Sequence, residues 1–126
     1  MHKVFVYGSL KRGLHNNGFL SEARFIGERT TQDETWVMLS LGGFPGVLKK
    51  HHGGLSASVR GELYEVDDET LARLDRLESN GHFYNRELVK LIDEDHPAWM
   101  YVLINPSRFG NIMMPEMEGD SYFYRW

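Results

Sequence analysis

Four consecutive apolar residues near the start of the chain, Val4-Phe5-Val6-Tyr7, stop abruptly at Gly8-Ser9. A run that is β-branched or aromatic at every position, and too short to show helical spacing, describes a buried strand. A buried strand needs neighbours, and the chain supplies them. Arg24 to Arg29, Thr35 to Leu39, Val59 to Val66 and Ala98 to Ile104 have similar character. Tyr84 to Ile92 reads as a further strand with two-sided surroundings, since Val89 and Leu91 break strict alternation. Glycines 42, 43, 46, 53 and 54 punctuate the middle of the chain and predict turns there.

One helix is predicted, from Asp68 to Glu78. Asp67 is a good N-cap, and Asp68 and Glu69 place negative charge at the positive end of the helix dipole. Leu71, Leu74 and Leu77 recur every three residues and form a stripe that can pack on a sheet. Asn80 and Gly81 follow as C-cap residues able to take left-handed backbone angles. A shorter helix is expected near Asn17 to Ala23. Many strands with few helices predict an α+β domain built around a curled sheet or small barrel. At 126 residues the chain fits one domain spanning 1–126, with apolar material for one core.

Several function classes are disfavoured. The formal net charge of -4 gives no overall basic field to hold a phosphate backbone, so no nucleic-acid partner is expected. The basic cluster Lys49-Lys50-His51-His52 reads as a solvated loop or strand end. With no cysteine there is no disulfide, thiolate nucleophile or thiolate metal site. Six histidines lack metal-binding spacing, so no metal is expected. Ser9, Ser40 and Ser56 lack the nucleophile elbow of serine hydrolases. The first apolar run is too short for a signal-peptide core or a membrane span, which makes a cytoplasmic, non-membrane protein the expectation. Met113, Met114 and Met117 are expected to pack against the sheet.

The residues that could carry chemistry fall in four places. Tyr7, Gly8, Ser9 and Leu10 end the first strand, where successive backbone N–H groups can hold a carboxylate or a developing oxyanion. Glu78 ends the leucine-striped helix. The helix's negative end and the nearby Phe83 and Tyr84 would raise its pKa, as an acid/base near neutral pH requires. Tyr84 and Arg86 lie at strand spacing on one face and could orient a carboxylate, whether a ligand's or that of Glu78. The last seven residues, from Asp120 to Trp126, are too aromatic for a free tail and predict docking on the domain, with Tyr122 or Tyr124 candidates to reach a pocket.

Together these segments resemble the gamma-glutamylcyclotransferase-like family, which includes gamma-glutamylamine cyclotransferases and the avirulence-induced-gene-like proteins. The likeness is carried by Val4-Phe5-Val6-Tyr7-Gly8-Ser9-Leu10-Lys11-Arg12-Gly13 and Gly42-Gly43-Phe44-Pro45-Gly46-Val47. It continues through Val59-Arg60-Gly61-Glu62-Leu63-Tyr64-Glu65-Val66, Leu74-Asp75-Arg76-Leu77-Glu78 and Phe83-Tyr84-Asn85-Arg86, up to about Leu91. The resemblance implies a small mixed β-barrel flanked by a few helices. It implies Glu78 as the catalytic acid/base, with Tyr7, Gly8, Ser9, Leu10, Tyr84 and Tyr122 around a small gamma-glutamyl substrate. The implied product is 5-oxoproline, formed without a metal or organic cofactor. The chain departs from the family pattern after Glu78, where Ser79-Asn80-Gly81-His82-Phe83 replaces the usual Gly and Pro, so the leaving-group side is differently built. A non-catalytic module that keeps the cavity and binds a small ligand is the alternative.

Overall fold

The computed structural model describes residues 1–49, 55–104 and 111–126. Lys50, His51, His52 and the turn glycines at 53 and 54 lie outside the described residues. In chain order come β1 (His2–Val6), a 3-10 turn (Asn17–Leu20), β2 (Arg24–Thr30), β3 (Trp36–Ser40) and β4 (Pro45–Lys49). They are followed by β5 (Ser58–Val66), α1 (Asp68–Leu77), β6 (Tyr84–Val89), β7 (Ala98–Leu103), β8 (Asn111–Ile112), β9 (Glu116–Glu118) and β10 (Ser121–Tyr124). The architecture is α+β, with a large mixed sheet and, among the described residues, one α-helix.

β1 lies inside the larger sheet, antiparallel to β5 from His2–Val66 to Val6–Glu62 and parallel to β7 at Val4–Trp99. Its unbroken apolar run follows from this position. Alternate side chains point to opposite faces, and both faces are covered. Val4 and Val6 join one core cluster with Leu71, Leu74, Tyr84 and Tyr101, beneath the helix. Phe5 and Tyr7 join a second, with Trp36, Met38, Val59 and Tyr124. β7 divides in the same way, Tyr101 and Leu103 against Met100 and Val102. The sheet therefore separates the expected single core into two layers.

The expected closed barrel is not formed. Strands run β6-β7-β1-β5 with β2 on the other edge of β5, and the end of β2 curls back toward the end of β6. Only one bridge, Thr31 opposite Leu91, joins them, flanked by Gln32 N–H to the Lys90 carbonyl and Ile92 N–H to the Thr30 carbonyl. The hairpin of β3 and β4 pairs with β8 as a separate three-stranded sheet. Of the flanking helices, the one expected near Asn17 to Ala23 is a single 3-10 turn.

Local chemistry explains α1. The Asp67 carboxylate accepts the Thr70 N–H at 2.7 Å, which closes the N-terminus. Leu71 and Leu74 are buried and Leu77 packs partly against the same cluster, each full burial stabilising by roughly 1.5–3 kcal/mol. Glu78 itself is the C-cap, and the first left-handed residue is Ser79, at φ 48°, rather than Asn80. Three other expectations change. The glycine-rich middle contains β4, where Gly46 is required because a Cβ there would sit 2.3 Å from a Leu103 methyl carbon. β6 ends at Val89, and Leu91 serves the single bridge. Met114 and Met117 are exposed and only Met113 packs partly on the core. The aromatic tail docks as β10, pairing in parallel with β5 and burying Phe123 and Tyr124.

Candidate active site

The turn after β1 is built by close approach. Gly8 has no left-handed backbone angle; instead, a Cβ would meet Pro45 Cγ and Cδ at 2.8 Å. The Lys11 N–H bonds the Gly8 carbonyl at 3.0 Å and closes the turn. Asn16 braces it twice, its side-chain amide donating to Ser9 Oγ at 2.8 Å and its backbone N–H to the Ser9 carbonyl at 3.0 Å. Asn17 donates to the Leu10 carbonyl at 2.8 Å.

Across from this turn stands Glu78. A cavity of about 210 Å³ is lined on one side by Tyr7, Gly8, Ser9, Leu10, His15 and Asn16. Leu77, Glu78, Ser79, Phe83 and Tyr84 line the other, with Phe44, Pro45 and Tyr101 completing the wall. Burial pushes the Glu78 carboxyl up to about 7. A carboxyl held there can both take and return a proton near neutral pH.

Three tyrosines surround this acid, and each hydroxyl is engaged. Tyr7 donates to the Tyr101 carbonyl at 2.6 Å and accepts the Val47 N–H at 3.2 Å. Tyr84 donates to the Pro45 carbonyl at 2.8 Å, and Tyr101 donates to Asp75 at 2.6 Å. Burial is the largest cause raising all three hydroxyls above the ordinary tyrosine range, and the Glu78 charge raises them further. They therefore stay protonated and shape the cavity without competing as bases. Phe83 packs edge-on against Tyr84 at 4.9 Å and Phe44 against Phe83 at 6.3 Å, which makes the outer wall aromatic.

The structure thus brings Tyr7, Gly8, Ser9, Leu10, Glu78 and Tyr84 to one cavity. Tyr122 is not among the lining residues. It is half exposed on β10, and its carbonyl accepts from Ser58 Oγ at 3.2 Å. Tyr124 is buried in the second core layer. Arg86 does orient a carboxylate, but that of Asp75 at 3.5 Å, one helical turn before Glu78, while stacking 4.4 Å from the Trp99 ring centre. With Tyr101 on the same Asp75 oxygen, this pair ties the end of α1 to the sheet. Sequence reasoning missed His15, Asn16, Ser79 and Tyr101. Phe44 and Pro45 carried a signal, since they sit in a segment that resembles the family. Among the described residues no group of three or more His, Asp or Glu side chains could hold a metal ion. No helix among them is long and apolar enough to cross a membrane.

The chain is similar to known proteins in sequence and in fold. The family model described as "Gamma-glutamyl cyclotransferase, AIG2-like" matches residues 4–122. The gamma-glutamylcyclotransferase family protein YtfP of Escherichia coli is 34% identical over 104 residues, covering 82% of this chain and 84% of that protein. The solution structure of E. coli ytfP superposes with a TM-score of 0.64 at 31% identity, covering 97% of this chain and 95% of the other. The crystal structure of an AIG2-like protein from Mus musculus gives a TM-score of 0.68 at 27% identity, covering 82% and 78%.

Proposed function

The chain belongs to the gamma-glutamyl cyclotransferase, AIG2-like family, and from that premise we propose that it releases 5-oxoproline from a gamma-glutamyl amine or peptide, with Glu78 as acid/base. The observation that carries the reading is a partly buried carboxyl, raised by desolvation to about 7, sharing one cavity with the turn after β1. Residues 1–126 act in this reading as one domain of the family.

The substrate's α-ammonium cannot attack until it loses a proton. Glu78 takes that proton, and the freed amine attacks the side-chain carbonyl carbon to close a five-membered ring. The carbonyl oxygen becomes an oxyanion facing backbone N–H groups of the Gly8–Leu10 turn, donors of a kind worth ~2.7–4 kcal/mol in transition-state stabilisation. Protonated Glu78 then gives its proton to the departing amine nitrogen as the old amide bond breaks. The attacking nitrogen still carries two hydrogens once bonded and gives one up as the lactam forms. The departing amine takes it and leaves as the ammonium, so the protons balance and Glu78 ends as it began. Because attack is intramolecular, holding the substrate in its cyclising conformation supplies much of the acceleration. Tyr7, Tyr84 and Tyr101 form walls for that purpose, and the aromatic Phe44–Phe83 side would face the leaving group.

Incubation with a panel of gamma-glutamyl amines and dipeptides, with 5-oxoproline measured as product, tests the proposal. Wild type should turn over at least one member and Glu78→Gln none at a comparable rate. Full turnover by Glu78→Gln refutes the assignment. Tight binding without product across the panel would favour a ligand-binding module instead.

A further inference from the structure

The mechanism above leaves one buried carboxylate without a task. Glu62, on β5, is only 7% exposed, yet it faces away from the cavity that holds Glu78. A buried carboxylate is costly unless its lone pairs are satisfied. Here Oε1 accepts the Arg12 backbone N–H at 2.8 Å and the Tyr64 hydroxyl at 3.1 Å, while Oε2 lies 3.4 Å from Arg12 Nε. The Tyr64 hydroxyl in turn accepts from the Asn17 amide at 3.3 Å, and that same amide donates to the Leu10 carbonyl. The bonds form a ring: Leu10 carbonyl, Asn17, Tyr64, Glu62, Arg12 N–H. It closes around the two residues where the chain leaves the turn. Arg12 is held from above as well, its guanidinium 3.9 Å from the Phe25 ring centre. On its open side Glu62 borders a second cavity of about 270 Å³ that Lys11, Glu28, Arg29, Arg60 and Arg125 also line. The three arginines there are paired with Glu94, Glu118 and Glu116, so Arg12 is the cation bonded to Glu62 itself.

We infer that Glu62 is a positioning residue: its carboxylate pins the exit of the Gly8–Leu10 turn through the Arg12 N–H and the Tyr64–Asn17 relay, and so sets the aim of the turn's donors. The inference rests on the reading of that turn as the place where the glutamyl group is received. Glu62 touches no substrate in this arrangement and takes no part in proton transfer.

The experiment compares wild type with Glu62→Gln, Glu62→Leu and Tyr64→Phe as full chains. Two quantities are read: exchange of the Arg12 amide hydrogen, and KM and kcat for 5-oxoproline release across pH. Gln keeps an oxygen acceptor, so Arg12 exchange and KM should stay within ~3-fold of wild type. Leu removes the acceptor, so exchange should quicken and KM rise by ~10-fold or more, the scale of one lost charge-assisted hydrogen bond. The pH at which activity turns on, set by Glu78, should not move. Tyr64→Phe keeps its ring packing and breaks only the relay, so it should show a smaller change in the same two quantities. It decides the matter if Glu62→Leu does not fold. Arg12 exchange and KM at wild-type values in Leu, or in Tyr64→Phe should Leu not fold, overturn the inference. So does Gln behaving as badly as Leu. If wild type makes no 5-oxoproline, the cyclotransferase reading falls and Arg12 exchange alone decides whether Glu62 holds the turn.

Discussion

Replacing Glu78 by Gln should make the protein more stable in mild alkali while removing its activity. The carboxyl is raised by burial from 4.5 to about 7. Below pH 4.5 it is protonated in both folded and unfolded chains, and its ionisation does not affect stability. Between 4.5 and about 7 the unfolded chain ionises while the folded one resists, so folding loses ground as pH rises. Above about 7 the deficit is complete, at about 3 kcal/mol for a displacement of this size. Gln has nearly the same shape and never ionises, so the variant escapes the deficit. Thermal melts of both proteins from pH 4.5 to 8.5 should give nearly equal midpoints at the acid end. The variant should lead by roughly 10 °C at pH 8, for a chain of this size. A difference that stays constant with pH, or a variant less stable than wild type at pH 8, would show that Glu78 is not held in its neutral form. The assay needs no substrate, and so judges the electrostatics of the site apart from its chemistry.

Other outcomes follow from the same geometry. Since Glu78 must be deprotonated to accept the ammonium proton, kcat/KM for 5-oxoproline release should rise with pH and level off above about 7; a flat profile from pH 5 to 8 contradicts that role. Gly8→Ala drives a methyl group to 2.8 Å from Pro45 and should cost ~1–3 kcal/mol in denaturant unfolding, with a raised KM. Tyr84→Phe leaves the buried Pro45 carbonyl without its 2.8 Å partner, a loss of ~1–3 kcal/mol readable by thermal unfolding. Asp67→Ala removes the helix cap and should cost ~1 kcal/mol of stability, leaving kcat of the folded protein unchanged.

The parts of the fold that could be read from the sequence are those whose signals are local. Val4 to Tyr7 announces a strand covered on both faces because every position is apolar. Asp67 and the leucines of α1 announce its start and buried side. Glu78 was found because a helix end is an unusual place for a carboxylate and because the segment resembles a family. What was hidden depends on distant partners. β4 looked like a turn because Gly46 weakens any strand pattern, yet the glycine is there to admit Leu103. Gly8 takes no unusual backbone angle, and its constraint comes from Pro45, far along the chain. Tyr122 and Tyr124 stand two residues apart on the same side of β10, and position along it separates them: Tyr124 pairs with Val59 of β5, whereas Tyr122 lies short of that pairing, opposite the exposed Met117. Ser79 takes a left-handed angle that its neighbours Asn80 and Gly81 would adopt more easily.

β1 has hydrogen-bonded neighbours on both sides, and the turn that follows it is braced by Asn16, Asn17 and Glu62. Parting that wall of the cavity means undoing two ladders at once, an event close to global unfolding. The opposite wall is anchored too: Asp75 ties the end of α1 to Tyr101 and Arg86, and Tyr84 lies on β6, paired along its length with β7. With both walls fixed to the same sheet, the cavity is formed before anything enters it.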